Sequence, residues 1–181
     1  MSGAGGRPAR ASFMLRILAL LALLLPGCMT TVPASTDPLE CRLEPAGGTR
    51  IRFELANRSQ APLRVLTWNT PWEGWKGTIL TVTREGEELP YQGPMLKRGD
   101  PGREEYAEIA AGGRIEATVD LAEVYDVSRP GPYRVEVTGD LLDVTSNAAD
   151  TVPRPRDRHQ PMPLRCAPVA FSIPGAGPAA G

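Results

Sequence analysis

A single histidine, His159, stands in a chain of 181 residues. A catalytic zinc site of the His-Glu-x-x-His kind needs two imidazoles one helical turn apart, a third ligand and a general base. One imidazole in a proline-rich stretch cannot supply that set. A serine triad is equally out of reach, because His159 would have to act as the base and no nucleophile-elbow pattern occurs. The expectation is therefore no catalytic residue, no metal and no cofactor. Long apolar runs are lacking too. The run at residues 17–25 is nine residues, far below the roughly 20 that a membrane helix requires. Neither sign of charge is in excess, with 20 Lys and Arg against 21 Asp and Glu, which argues against a nucleic-acid partner. Helical periodicity sustained over three turns is missing after residue 28, which leaves strands to build the fold.

What is present begins at the N-terminus. Arg7, Arg10 and Arg16 precede or enter a leucine-rich run, no acidic residue stands ahead of Cys28, and the run ends at Leu25-Pro26-Gly27-Cys28. A positive segment before a short apolar one is the layout of a secretory signal. Its end resembles the lipobox at which bacterial signal peptidases cut and lipidate, although Pro26 stands where a small residue or Val is commoner. Simple secretion is the alternative, but no A-x-A-like triplet is placed for it. The expectation is removal of residues 1–27, acylation of Cys28 with palmitate-type chains, and a membrane attachment made by those chains. Met29 differs from the aspartate that resembles an inner-membrane retention signal. The expected location is thus the periplasmic face of the outer membrane in a bacterial envelope.

Removing residues 1–27 from 181 leaves 154, with 17 basic and 21 acidic residues and a net charge of −4. That length suits one domain with a sizeable core. Of the three cysteines, Cys28 is consumed by lipid, which leaves Cys41 and Cys166 near the two ends of the domain. In an exported protein this pair reads as a disulfide; the alternative is two free buried thiols. Residues 28–39, rich in Thr, Pro, Ala and Ser, read as a flexible tether.

From residue 40 onward, apolar and polar residues alternate with period two. Ile51, Phe53 and Leu55 share a face; so do Leu63, Val65 and Thr67; so do Tyr133, Val135 and Val137; so do Val169, Phe171 and Ile173. Further strands are expected at 79–84, 88–91 and 114–121. Asn57-Arg58-Ser59-Gln60 reads as a turn, and Arg84-Glu85-Gly86-Glu87 as a tight hairpin with Gly86 at positive φ. Seven to eight strands with turns between them predict an all-β, immunoglobulin-like antiparallel sandwich over residues 40–174. Gly131-Pro132-Tyr133 matches the start of a tyrosine corner, with Val135 where immunoglobulin domains carry cysteine. Residues 148–164, interrupted by prolines, are expected to form a long surface loop, and 175–181 a disordered tail.

Residues 50–139 carry a further pattern. Asn57 is followed by an apolar run at 63–66 and by Trp68-Asn69-Thr70-Pro71-Trp72-Glu73-Gly74. Then come Val82-x-Arg84-x-Gly86, Pro90-Tyr91-x-Gly93, Lys97-Arg98-Gly99-x-Pro101, Tyr106, Asp120-Leu121-x-x-x-Tyr125-Asp126 and Gly131-x-Tyr133. This order resembles the N-terminal β-sandwich region of the deuterolysin and peptidyl-Lys metalloendopeptidase family, with the Thr-Pro-x-Glu-Gly and Lys-Arg-Gly elements its most specific parts. The resemblance implies a sandwich that precedes a separate zinc domain, and the residues of that zinc domain are not found in this sequence.

Candidate binding residues follow from two clusters. Trp68, Trp72 and Trp75 form either an aromatic recognition patch or core and edge packing. Glu73 is expected to meet Lys97 or Arg98 across two loops, as a structural ion pair or as part of a binding surface. Arg98-Gly99-Asp100 reads as an ordinary turn. Together these readings predict a non-catalytic lipoprotein with a protein partner, which the family resemblance suggests to be a metalloprotease domain bound as inhibitor, chaperone or docking partner. A structural envelope scaffold is the alternative, and a protease-related accessory protein with an unrecognised activity is a second.

Overall fold

The computed structural model describes residues 37–146 and 150–175. Cys28, the signal segment and most of the tether and tail lie outside them. The described residues build ten strands in three antiparallel sheets, the β-sandwich that period-two alternation predicts. No α-helix occurs among the described residues.

The first sheet has the order β1 (Leu39–Pro45), β2 (Arg50–Asn57), β7 (Arg114–Asp120). Its inward residues, Leu43, Ile51, Phe53, Leu55 and Val119, are buried. Its outward residues are charged and pair along and across the strands. Arg58 and Arg42 meet Glu40 at 2.5 and 3.4 Å, Arg52 meets Glu44, and Arg114 meets Glu54 at 3.5 Å. Such exposed pairs add little stability, because water and salt screen them. Their effect is to leave a solvated sheet face with few charges unmatched.

The second sheet runs β10 (Val169–Ile173), β8 (Gly131–Val137), β4 (Leu80–Arg84), β5 (Glu87–Glu88). Leu80, Val82, Tyr133 and Val135 point inward and join the residues of the first sheet in one apolar cluster. Tyr133 forms the tyrosine corner that its motif predicts: its hydroxyl donates to the Arg129 carbonyl at 2.6 Å, and Phe171 stacks on its ring at 5.3 Å. The β4–β5 hairpin turns through Glu85 and Gly86, both at positive φ (54° and 86°), the combination that matches the right-handed twist of the strands. The strand expected over 88–91 shortens to a two-residue β5. Pro90 follows at once, and proline has no N–H for a ladder.

A third sheet, β6 (Tyr106–Ile109), β3 (Leu63–Leu66), β9 (Val144–Thr145), completes the structure. β1, β6 and β9 take the strand count above the expected seven to eight. β1 does alternate, Leu39, Cys41 and Leu43 with Glu40, Arg42 and Glu44, but it starts inside the segment read as a tether; β6 and β9 are short, at four and two residues. Cys41 of β1 and Cys166, just before β10, form a disulfide with Cα atoms 4.8 Å apart.

Candidate functional site

The segment after β3 folds into a short turn that sets the site. Thr70, fully buried, donates from Oγ1 to the Thr67 carbonyl at 2.5 Å, and Pro71–Glu73 makes one 3-10 turn with Pro71 at its start, where a missing N–H costs nothing. Glu73 reaches back, accepting the Asn69 N–H at 2.8 Å, and Gly74 leaves the turn at φ 70°. These contacts fix the Glu73 carboxylate toward the loop that carries Arg98.

Glu73 and Arg98 do meet. Their ion pair is largely sheltered, with side chains 9% and 18% exposed. The guanidinium also lies over the Trp68 ring, 4.8 Å from its centroid, and 3.5 Å from Glu105 Oε1. Glu105 in turn accepts the Trp68 indole N–H at 2.5 Å. Arg98 is thus held between two carboxylates and an aromatic face, an arrangement that favours a fixed, planar cation. Lys97 does not join this clamp: it is exposed and has no carboxylate partner among the described residues.

The three tryptophans divide between core and clamp. Trp75 is buried and donates to the Asp120 carbonyl at 3.2 Å, with Tyr125 edge-on at 6.0 Å. Trp72 packs edge-on against Phe53 at 5.2 Å, and its Nε1 is buried without a hydrogen-bond partner. Trp68 is 3% exposed. Of the two readings of the cluster, Trp68 and Trp75 pack inward, as their apolar area favours, while Trp72 is half-buried against Phe53.

Period-two reading does not reveal the other fixed point of this region. Asp143 is completely buried. Arg154 holds both of its oxygens, through Nε at 2.9 Å and through Nη2. The Tyr106 hydroxyl donates to it at 2.6 Å and the Gln160 N–H at 2.7 Å. Burial alone would raise this carboxyl, but the hydrogen bonds from Arg154, Tyr106 and Gln160 outweigh it and hold Asp143 below the ordinary carboxylate value. Burial first, and the Asp143 bond second, push the Tyr106 phenol up to about 12. With every lone-pair direction occupied and a cation in place, Asp143 is poorly suited to act as a base.

The 150–164 segment is anchored by this cluster and by five further bonds. Val144 N–H donates to the Gln160 carbonyl at 3.1 Å, and Leu141 and Met162 exchange two backbone bonds. Arg156 N–H donates to Asp100 at 3.0 Å and its guanidinium to the Arg98 carbonyl at 2.8 Å. His159 is used up in this packing, its ring edge-on to Trp68 at 6.3 Å and its Nε2 3.2 Å from the Arg154 carbonyl. No three His, Cys, Asp or Glu side chains are grouped to hold a metal ion among the described residues.

An open groove of about 780 Å³ lies between the anchored loops. Lys97, Arg98 and Arg156 line it together with apolar Leu96, Leu142 and Pro161; Trp68 and His159 form part of its floor. The sequence pattern singles out Arg98, Lys97 and Glu73 in this region. Arg156 and Leu96 escape it, because neither belongs to a periodic strand.

No protein-family model matches the chain. Relatives do. It is 29% identical over 119 residues to an extracellular protease of Aeromonas hydrophila, covering 64% of this chain and 34% of that protein. It is 28% identical over 130 residues to a neutral protease 2 homolog of Uncinocarpus reesii, covering 71% and 36%. A neutral protease 2 homolog of Trichophyton verrucosum is 29% identical over 148 residues, 77% of this chain and 39% of the relative. The chain is protease-related. Likeness to such relatives accords with the deuterolysin-like resemblance stated for residues 50–139. The chain spans little more than a third of the length of the curated relatives it matches.

Proposed function

We propose that this chain is a non-catalytic recognition module, tethered through lipid on Cys28 to the periplasmic face of a bacterial outer membrane, that binds a metalloprotease domain as inhibitor, chaperone or docking partner. The observation that carries the reading is the β-sandwich fold, with its sheltered acids held by arginines, beside the likeness to proteases. The likeness to proteases extends over 34–39% of their length, and the segment that carries it here is a β-sandwich. Geometry supports binding over chemistry. The sheltered carboxylates Glu73 and Asp143 are each neutralised by an arginine, and His159 is committed to packing. Loops fixed by such contacts lose little entropy when a partner docks, which favours recognition.

Photo-crosslinking in intact cells tests this. Probes placed over the surface, with adducts identified by mass spectrometry, are expected to capture a protease. Adducts only with structural envelope proteins would favour the scaffold alternative. Purified chain is expected to leave casein intact; bound zinc with chelator-sensitive proteolysis would overturn the non-catalytic reading. Acyl labelling that survives Cys28→Ser would sink the lipid assignment.

A further inference from the structure

We infer that the groove between Lys97 and Arg156 is the docking surface for an extended acidic segment of a partner protein, one that alternates carboxylates with apolar side chains. The inference rests on the recognition reading and assigns it a surface and a partner chemistry.

Charge argues first. Three cations line the groove and no carboxylate does. Arg98 is already matched by Glu73 and Glu105. Lys97 and Arg156 are both exposed, and neither has a carboxylate partner for its side chain among the described residues. Asp100 accepts the backbone N–H of Arg156 through one oxygen and forms no ion pair with Lys97 or Arg156 among the described residues. Two unmatched cations beside one groove favour an anionic partner, raising its rate of encounter and fixing its register.

Apolar exposure argues second. Met95 and Leu96, 72% and 53% exposed, are the exposed large hydrophobic residues among those described; Leu96 lines the groove beside Lys97, and Met95 precedes it in the chain. Leu142 and Pro161 extend this apolar lining. An exposed apolar patch rimmed by charge marks an interaction site more often than a solvated surface. The outer face of β1, β2 and β7 shows the contrast, since its charges largely satisfy one another.

Rigidity argues third. The loop bearing Leu96 is tied by its N–H to the Lys76 carbonyl at 2.9 Å, and the opposite wall is tied by Arg156 to Arg98 and Asp100. The groove is thus preformed, and a partner strand would pay mainly for its own ordering.

The test uses the full chain carrying Cys28→Ser and three fluorescein-labelled octapeptides: alternating Glu-Leu, alternating Lys-Leu and alternating Glu-Ser. Fluorescence anisotropy is expected to show saturable binding of the Glu-Leu peptide only, weakened by added salt. The Lys97→Glu, Arg156→Glu double variant should bind it at least about tenfold more weakly, and Lys97→Glu alone should also weaken binding, at unchanged melting temperature, since Lys97 is exposed. Arg42→Glu, on the charged sheet face, should bind as the parent does. Equal binding by the double variant, preference for the Lys-Leu peptide, or no binding of any peptide would overturn the inference. A photo-crosslinker at Leu96 or at Arg42 then separates this idea from the recognition reading. An adduct at 96 to an acidic segment supports the groove. An adduct at 42 alone overturns the groove and leaves recognition standing; adducts at neither position sink both.

Discussion

Arg154 grips Asp143 from eleven positions further along the chain, and the two side chains are only 11% and 0% exposed. The pair joins the start of the 150–164 segment to the strand β9 beside it, while Tyr106 on β6 and Gln160 close the remaining sides of the carboxylate. The groove wall that carries Arg156 and His159 is therefore held by a buried charge cluster, where a proline-rich segment has few ladder bonds of its own.

Asp143→Asn should destabilise the domain by about 3–5 kcal/mol, because Arg154 is left sheltered without its counter-charge. Arg154→Met should cost as much, for the converse reason. The double variant Asp143→Leu, Arg154→Met should cost less than either single change, since two apolar side chains leave no uncompensated charge. Urea unfolding checks this, with Asp143→Leu added as the single change that closes the cycle with Arg154→Met and the double variant; strict additivity in that cycle would show that the pair is not coupled.

The same carboxylate sets an acid limb. The folded value of Asp143 lies below the ordinary 3.8, so its contribution is fully present above about pH 4 and is lost as pH falls through the depressed folded value. Stability measured downward from pH 5 should drop, and the drop should be shallower in Asp143→Asn. An identical acid limb in the variant would place the titrating group elsewhere.

At the alkaline end the sign reverses. Burial, with Asp143 beside Tyr106 and with Tyr91 and Glu88 near Tyr125, raises both phenols from 10.0 to about 12. Folded values above the ordinary one mean stability present below pH 10 and lost as pH rises toward 12. Tyrosinate absorbance should show a late step, reduced by Tyr106→Phe and again by Tyr125→Phe. A titration complete by pH 11 would contradict the burial of these hydroxyls.

Asn57 ends β2 as the turn reading expects, yet it is fully buried. Its amide donates to the carbonyls of Ala61, Ile109 and Ala110 at 2.8–3.1 Å and accepts from Ser59 through both N–H and hydroxyl. Asn57→Ala orphans several buried groups at once and should cost about 2–4 kcal/mol. Asn57→Asp should cost more, because a carboxylate would face three carbonyls. Thermal melts rank the two; equal stability would show that water replaces the amide.

Alternation made the central strands legible, since β2, β4, β7 and β8 each bury one face and leave the other outward. It failed where no face is cleanly apolar, as at β6 and β9, whose pairing with β3 is a tertiary choice. Glu73 and Arg98 were legible as partners because their motifs bracket two loops. Asp143 and Arg154 were not, because nothing local distinguishes a buried acid from a solvated one. The tryptophans show the converse limit. Spacing on a loop carries no information about which way a ring turns, and burial of the Trp75 and Trp68 rings is decided by Tyr125, Arg98 and the core.

The disulfide gives the last prediction. Cys41 and Cys166 are separated by 125 residues, so closing that loop contributes up to about 4–5 kcal/mol on the chain-entropy account. Its effect should not be uniform. Cys41 sits mid-strand in β1, whose seven residues all pair with β2, whereas Cys166 borders β10, whose Val169, Phe171 and Ile173 are only half-buried and which pairs with β8 alone in its sheet. Removing the bond leaves β1 its ladder and takes from β10 one of its few ties. Cys41→Ala, Cys166→Ala should therefore lower the denaturation midpoint and raise amide exchange first in residues 164–173, with β1 and β2 still protected. Exchange that rises equally in β1 and β10 would mean that the bond stabilises only through the unfolded chain.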